Sequence, residues 1–425
     1  MPRWPLLSPL AVLVAGCGAP DASPGGSASS AAELASAIRV TAAPSSAAPP
    51  PPAPPTPPLV AWLEREDPRW TEWLSRAEEL RLQILVTEVD PEKKLTRVHE
   101  LRVDTEYFYP ASAVKPFLAV IALRFLSERL GGEVPLPARI LRCRTDRPGC
   151  EPPPEDEDKE QPSGEEPRKH DKLRVGEEIG KMLSYSDNDS FNRLWDTVGH
   201  AEVNAELATL GFPDVRLHHR MSAPAPYSRL TPRVLVRPPG KPPIELPLRK
   251  SSLTLAATPA ARLEIGTAYL DGKKLVESPM SFAEKNFTSL RDLQRLMIAL
   301  VLPPNERDLG LSSAQREHLV RSMTTSPKDR RHAAEHSPLA PGVLDALGHE
   351  RIRYVGKSGR AYGFHLENAY VENRDTGRAF FVTATVYANP DGVLNDDDYA
   401  YDQLSRPLLA SLGSALAREL LVAKP

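Results

Sequence analysis

Strand-like segments stand on both sides of a long helical block in this sequence. Residues 82–104 read as two strands around a turn at Pro91, and residues 351–390 read as further strands. Strands that are separated by a helical block but join one sheet are typical of an α+β fold. We therefore predict an antiparallel sheet flanked by helices, with an inserted all-helical subdomain.

Helical patterns occupy the rest of the folded chain. They cover residues 59–81, the apolar run after Lys115, residues 173–199 with a polar break at 184–190, residues 287–302 and residues 403–423. In the 287–302 segment, Thr288 or Ser289 is suited to cap the helix, and Asp292 lies in its first turn.

Proline marks the stretches that do not fit this pattern. The chain has 425 residues, enough for one large or two ordinary domains, and its 45 prolines fall largely in a few blocks. Residues 18–58 are rich in Ala, Pro, Ser and Gly, so we predict a disordered tether before a folded domain at 59–425. Two stretches of that domain, 144–172 and 222–252, are predicted to be irregular insertions.

The first 17 residues have the features of an export signal. Arg3 adds positive charge, residues 6–15 form a short apolar segment, and the end at Cys17 resembles the lipobox of bacterial lipoproteins. The resemblance implies a lipidated Cys17 and an extracytoplasmic protein, in the periplasm or at the cell surface, held on a bacterial membrane by its lipid alone. An ordinary secretory signal with an incidental cysteine is the alternative, and it also takes the protein out of the cytoplasm.

The other two cysteines, Cys143 and Cys150, enclose a turn-rich loop. In an oxidising compartment such a pair is a candidate disulfide. Two free thiols are the alternative, because the sequence does not give the geometry that a disulfide needs.

Composition and histidine spacing indicate neither a nucleic-acid partner nor a metal site. The net charge of −3 includes no basic excess. His218 and His219 are adjacent and point apart, while His332 and His336 lack a third ligand, so we favour solvated histidines and no metal.

The stretch YPASAVKPF, residues 109–117, opens an apolar helix with a serine, a lysine and a proline. On a helix, Ser112 and Lys115 lie on one face, with about 5–6 Å between their Cβ atoms. Pro116 is tolerated because first-turn amides have no intrahelical acceptor, and the Ser112 amide is one of these free donors. The segment therefore offers a nucleophile, an amine to take its proton and a donor for an oxyanion. Taken alone, it favours a capped core helix with a solvated lysine.

Two more motifs follow in a set order. Ser186-Asp187-Asn188 lies in the polar break, and Lys357-Ser358-Gly359 opens a run toward a strand. The sequence S-x-x-K, S-D-N, K-[ST]-G is the signature of class A β-lactamases and penicillin-binding proteins. Apart from the two insertions, residues 59–425 resemble this superfamily of serine β-lactamases and D,D-peptidases, and class A most. The alternatives are structural: Ser186-Asp187-Asn188 could simply cap a turn, and Lys357-Ser358-Gly359 could simply form a hairpin turn.

The resemblance implies three catalytic residues. Ser112 would be the acylated nucleophile, Lys115 would help to deprotonate it, and Ser186 would relay a proton toward the leaving nitrogen. An amine can act as this base only if its pKa falls, and burial or a nearby cation such as Lys357 would lower it.

The resemblance also implies how substrate is held. Asn188 would bind the substrate amide and brace the catalytic lysine, while Lys357 and Ser358 would bind a substrate carboxylate. The backbone amides of Ser112 and Arg360 would form the oxyanion hole. No cofactor is implied.

The chain departs from class A where that family activates the deacylating water. Residues 216–224, RLHHRMSAP, look like the family's R-L-D-R-W-E stretch, and we place Ser222 where the glutamate would be. Glu264 is the nearest later candidate, but no leucine-asparagine pair follows it. Without a carboxylate the acyl-enzyme is expected to be long-lived. Arg360 replaces a small residue after K-S-G, where it would crowd the site or add a cation.

Together these features predict a monomeric serine hydrolase that forms an acyl-enzyme with β-lactams or related cell-wall peptides. A D,D-carboxypeptidase or amidohydrolase acting on peptidoglycan is the close alternative, favoured by the missing glutamate. A non-catalytic lipoprotein that binds cell-wall fragments is an alternative from a different class.

Overall fold

A computed structural model describes residues 57–142, 173–222, 228–302, 308–324, 337–348 and 351–422. The predicted export signal, nearly all of the predicted tether, the cysteines, the 332/336 histidine pair and the whole of the predicted 144–172 insertion lie outside these ranges. No helix in the described ranges is long and apolar enough to cross a membrane.

Helices and strands follow the predicted order along the chain. The helices are α1 (Pro58–Glu66), α2 (Arg69–Ser75), α3 (Lys115–Arg129), α4 (Val175–Ser184), α5 (Asn188–Val198), α6 (His200–Thr209), α7 (Leu290–Val301), α8 (Ser313–Ser322), α9 (Ala340–Leu347) and α10 (Arg406–Leu416). The strands are β1 (Gln83–Val89), β2 (Leu95–Leu101), β3 (Arg139–Arg142), β4 (Leu230–Thr231), β5 (Val234–Arg237), β6 (Ile244–Leu246), β7 (Arg249–Lys250), β8 (Glu264–Ile265), β9 (Ala268–Asp271), β10 (Lys274–Val276), β11 (Met280–Ser281), β12 (Ile352–Gly356), β13 (Gly359–Ala361), β14 (Phe364–Asn373), β15 (Ala379–Tyr387) and β16 (Val393–Leu394). A 3₁₀ turn, Ala111–Val114, precedes α3, and single π-helical turns flank α10 at Tyr401–Ser405 and Ala417–Leu421.

The main sheet joins strands from both ends of the folded chain. Its order is β12-β14-β15-β1-β2, and β13 pairs with the start of β14. Every pairing in this sheet is antiparallel, with Gln83 opposite Thr385 at one end of the β1–β15 pair and Val89 opposite Ala379 at the other. The predicted α+β fold is confirmed.

Helices cover both faces of this sheet. On one face, α1, α9 and α10 pack on residues such as Ile84 and Phe380, and on the other α3 and α7 pack on residues such as Leu85 and Phe381. Two-sided burial explains why β15 is apolar along almost its whole length rather than alternating. Every α3 residue from Lys115 to Leu123 is buried, so this helix can be apolar on all sides.

Local capping signals set several helix boundaries. The predicted 59–81 helix divides at Pro68, which separates α1 from α2. The predicted 287–302 helix is α7, and Ser289 caps it by accepting a hydrogen bond from the Asp292 amide at 3.0 Å.

Short β pairs accompany the helices of the inserted block. β5 pairs with β3 and β6, β4 with β7, β8 with β11, and β9 with β10 and β16. The prediction of an irregular insertion at 222–252 is therefore wrong for much of its described part. β-Branched Val234 and Val236 are buried in β5 and pair with β3, so this segment joins the domain core.

Candidate active site

The S-x-x-K segment begins in the 3₁₀ turn before α3. Ser112 lies in that turn rather than in the α-helix, and its carbonyl accepts a hydrogen bond from the Lys115 amide. Ala111 has a positive φ of 45°, a conformation that costs a non-glycine residue about 1–2 kcal/mol. The Ser112 amide donates to no described residue. A strained turn thus presents the serine with a free backbone donor.

Lys115 is fully buried among neutral acceptors. Its Nζ donates to the Ser186 carbonyl, to Ser186 Oγ at 3.2 Å and to Asn188 Oδ1 at 2.8 Å. Burial and, to a lesser extent, the nearby Lys357 cation lower the pKa of Lys115 to about 6, while Asp187 opposes the shift. The amine is therefore largely neutral at pH 7 and able to accept a proton.

The S-D-N segment connects α4 to α5. Ser186 has a positive φ of 57°, and the Asp187 side chain caps α5 by accepting from the Ser190 amide at 2.5 Å. Behind the segment, the buried Glu178 of α4 accepts from Arg193 of α5 at 2.6 Å, and also from Lys181 at 3.0 Å. These contacts fix the two helices, and so the polar turn between them.

The K-S-G segment follows β12 and opens β13. Lys357 is buried, and its Nζ donates to Ser186 Oγ at 3.0 Å and to the Ser358 carbonyl at 3.1 Å. Burial lowers the pKa of Lys357 to about 8, against the attraction of the Glu367 carboxylate. Since both Lys115 and Lys357 donate to the Ser186 hydroxyl, the fold brings all three predicted motifs to one point.

Gly359 brings β13 directly against the nucleophile turn. A Cβ atom on Gly359 would lie 2.3 Å from the Pro110 carbonyl oxygen and 3.2 Å from the Ser112 nitrogen, so only glycine fits without movement. The next residue, Arg360, follows in β13. An oxyanion hole from the Ser112 and Arg360 amides is compatible with this approach and stays a prediction.

The Arg360 guanidinium packs beside an aromatic ring. It lies 5.2 Å from the ring centroid of Tyr401, and it lines a cavity of about 640 Å³ together with Tyr399 and Arg406. Both effects predicted for this residue, crowding of the site and an additional cation, stay predictions.

Two buried carboxyl groups near the site were not predicted. Glu178 follows Glu177 in an amphipathic helix, and Glu367 lies in a strand that also contains Glu372, so nothing in the sequence distinguishes either buried glutamate from its exposed or partly buried neighbour. Burial raises the pKa of Glu367 to about 8, and the Lys357 cation opposes that rise. Glu367 thus provides a titratable group that interacts electrostatically with Lys357 across the β12–β14 pair.

The deacylation stretch carries no carboxylate at either candidate position of the glutamate. Counted from Arg216 without a gap, the sixth residue is Met221, whereas matching Arg220 to the second arginine of R-L-D-R-W-E gives Ser222, as predicted. Met221 is buried, and its backbone exchanges two 2.9 Å hydrogen bonds with the Asn192 side chain. Ser222 Oγ instead accepts from Asn188 Nδ2 at 3.1 Å.

Neither Met221 nor Ser222 supplies the carboxylate that the resemblance to class A implies at this position. Glu264, the later candidate, is exposed on β8. In the described ranges, every hydrogen-bond acceptor of Lys115 is a carbonyl, hydroxyl or amide oxygen. Among the described residues, therefore, the Lys115 amine is bonded by neutral oxygens and by no carboxylate.

The model of the β-lactamase enzyme family matches residues 82–418. No curated protein matches the chain.

Among solved structures, the chain is similar to a β-lactamase from Sphaerobacter thermophilus, with 16% identity, 84% of this chain and 94% of that chain covered, and a TM-score of 0.45. A β-lactamase from Desulfarculus baarsii has 15% identity, the same coverage of 84% and 94%, and a TM-score of 0.46. A class A β-lactamase of the last common ancestor of Gram-negative bacteria has 17% identity, coverage of 84% and 98%, and a TM-score of 0.45.

Proposed function

The chain belongs to the β-lactamase enzyme family, and from that premise we propose that it is a serine hydrolase acylated at Ser112 by β-lactams or related cell-wall peptides. One observation carries this proposal. A buried, largely neutral Lys115 and a buried Lys357 both donate to the hydroxyl of Ser186. A neutral amine, a hydroxyl relay and a cation in contact form an acid–base system, which a structural ion pair would not need.

In the proposed reaction, the Lys115 amine takes the proton of Ser112 as its Oγ attacks the substrate carbonyl carbon. The oxyanion is stabilised by the backbone amides of Ser112 and Arg360. The C–N bond then breaks, and Ser186 passes a proton to the leaving nitrogen while it regains one from a neighbouring lysine. Lys357 holds the substrate carboxylate, and the product is a Ser112 ester.

Release of the acyl group is proposed to be slow. The two candidates for the position of the family's glutamate are Met221, a thioether, and Ser222, a hydroxyl, and neither supplies the carboxylate that would take a proton from water. This observation favours the second candidate function, a D,D-carboxypeptidase or amidohydrolase acting on peptidoglycan, over rapid β-lactam destruction. A non-catalytic binder of cell-wall fragments is the third.

Labelling of the purified protein with a fluorescent penicillin separates these functions. Label that stays on the protein after removal of free penicillin supports the peptidase-like function, and rapid loss of label supports a β-lactamase. Absence of any label on the wild-type chain would reject both enzymes and leave the binder. The matched control is Ser112→Ala, which must not be labelled.

We also propose that the protein is lipid-anchored outside the cytoplasm. The support is the sequence at Cys17, with its short apolar segment and upstream positive charge. Fractionation of cells that express Cys17→Ala tests this, since a variant that stayed membrane-bound would contradict the anchor.

A further inference from the structure

Residues 216–222, which we call the strap, run beside the site with an unusual set of backbone partners. At the start of the strap, Arg216 and Phe287 exchange two backbone hydrogen bonds of 2.8 and 2.9 Å. Every amide from residue 217 to residue 221 then donates to a side-chain oxygen. These pairs are Leu217 with Asn204 Oδ1 at 3.0 Å, His218 and His219 with Asn286 Oδ1 at 2.8 and 3.1 Å, Arg220 with Ser228 Oγ at 2.9 Å, and Met221 with Asn192 Oδ1 at 2.9 Å.

Three of these partners are asparagines that also donate back to the strap. Their Nδ2 atoms bond strap carbonyls at distances of 2.9 to 3.2 Å: Asn204 to Leu217, Asn286 to His219, and Asn192 to Met221. Paired side-chain amides replace the ladder that a neighbouring strand would provide. The strap is therefore fixed to α5 and α6 without being part of a sheet.

The fixed strap ends on a strained residue. Ser222 has a positive φ of 50°, and its side chain is exposed, so packing does not compensate for that conformation. Its Oγ accepts from Asn188 Nδ2 at 3.1 Å. The two hydrogen bonds between the Met221 backbone and the Asn192 side chain hold the strap against α5. Because Asn188 begins the same helix, they also set the position of the Ser222 hydroxyl relative to Asn188.

The orientation of the Asn188 amide matters for the base. A neutral amine has two N–H donors and one lone pair. When neutral, Lys115 donates to the Ser186 carbonyl and to Asn188 Oδ1, and its lone pair is the acceptor for one hydroxyl proton, that of Ser186 at 3.2 Å before attack or that of Ser112 during attack. If the Asn188 amide were reversed, its N–H would donate into that lone pair and the base would be lost.

We propose that Ser222 is a positioning residue that fixes the Asn188 amide for acylation. Its hydroxyl oxygen accepts from Nδ2 while Oδ1 accepts from Lys115, so the two contacts together hold the orientation in which Nδ2 faces the strap. The second N–H of Asn188 then stays available for a substrate amide. This inference rests on the proposed acylation of Ser112.

The test compares substitutions of Ser222 by the rate and pH dependence of labelling with a fluorescent penicillin. Ser222→Ala removes the acceptor, Ser222→Gly removes it and relieves the positive φ, and Ser222→Asn keeps an acceptor in a residue that tolerates this conformation. We expect the alanine and glycine variants to be acylated roughly three- to tenfold more slowly, and the asparagine variant within about twofold of wild type.

A second readout separates positioning from a merely structural role. When Lys115 loses the Asn188 acceptor, its charged form loses a hydrogen bond, so its pKa falls and the acidic limb of the rate profile moves to lower pH. Asn204→Ala is the matched control, because it loosens the far end of the strap without touching Asn188. It should lower the melting temperature and leave the acidic limb in place.

Three results would overturn the inference, and each has a different meaning. If wild type is acylated and the alanine and glycine variants match it in rate and pH profile, the positioning role is wrong and the acylation stands. If the wild-type chain is never acylated, the proposed function fails and takes this inference with it. A limb that moves equally in Asn204→Ala would also contradict it, since the effect would belong to the whole strap.

Discussion

Substitution of Lys357 by methionine should change the pH at which Lys115 becomes an effective base. Both Nζ atoms bond Ser186 Oγ, at 3.2 Å from Lys115 and 3.0 Å from Lys357, so the two nitrogens are no more than about 6 Å apart. At an effective dielectric constant of about 20, two unit charges at that distance repel by about 3 kcal/mol. This corresponds to about two pKa units.

The direction of the shift follows from the charge that is removed. Repulsion by the Lys357 cation disfavours protonated Lys115, so its loss raises the Lys115 pKa from about 6 to about 8. Lys115 accepts the Ser112 proton only when it is neutral. The acylation rate of the variant should therefore rise with pH about two units later than that of wild type.

The assay is the second-order rate of labelling by a fluorescent penicillin, measured from about pH 5 to pH 9. The midpoint of the acidic limb is informative even if Lys357→Met also binds the penicillin carboxylate less tightly, because affinity scales the whole curve. Ser358→Ala is the control, since it weakens carboxylate binding without removing a charge and should leave the midpoint near 6. A midpoint that stays near 6 in Lys357→Met would refute the electrostatic coupling of the two lysines.

Two other substitutions test the packing that builds the site. Gly359→Ala should lower the acylation rate by at least about 100-fold, because its Cβ would lie 2.3 Å from the Pro110 carbonyl oxygen and displace β13. The control is Gly132→Ala, whose Cβ would have no neighbour within 4 Å, and this variant should be acylated at the wild-type rate. Glu178→Gln should lower the free energy of unfolding by about 2 kcal/mol, since it removes the buried carboxylate between Arg193 and Lys181. Denaturant titration measures this loss. The control is Glu177→Gln at the exposed neighbouring residue, which should change the free energy of unfolding by less than about 0.5 kcal/mol. Equal losses in the two variants would contradict the role of Glu178.

The elements that were predicted correctly are those whose signals are local. Apolar and β-branched runs bounded by turns predicted β1, β2, β14 and β15, and a serine followed by an acidic residue predicted the start of α7. The order of strands and helices then limited the fold to α+β. The three short motifs were recognisable because each lies where an element begins or ends.

Features that depend on contacts distant in sequence were not predictable. The sequence around Lys115 and Lys357 does not indicate that both amines contact the Ser186 hydroxyl, because Ser186 and Lys357 are 171 residues apart in the chain. The strands of the 228–252 segment were missed because β5 is short and lies among prolines, and its pairing with β3 comes from a distant part of the chain. The side chains that bond the strap backbone are those of three isolated asparagines, Asn192, Asn204 and Asn286. Sequence patterns do not distinguish such residues from surface asparagines.

The same limit applies to the glutamate position in the strap. The weak match to the family's stretch gives Met221 or Ser222, according to which arginine is aligned. The structure adds that Asn192 bonds both backbone groups of Met221, while Ser222 Oγ accepts from Asn188. Hydrogen-bond partners from α5 therefore give information on the strap that spacing alone does not.

The most direct measurement is the intact mass of the protein, followed by peptide mapping, after exposure to benzylpenicillin. The account predicts one added penicilloyl group on the peptide that carries Ser112, persisting after free penicillin is removed, and no adduct on Ser112→Ala or at a pH well below the Lys115 pKa of about 6. An unmodified wild-type protein with intact penicillin in solution, or an adduct on any residue other than Ser112, would contradict it.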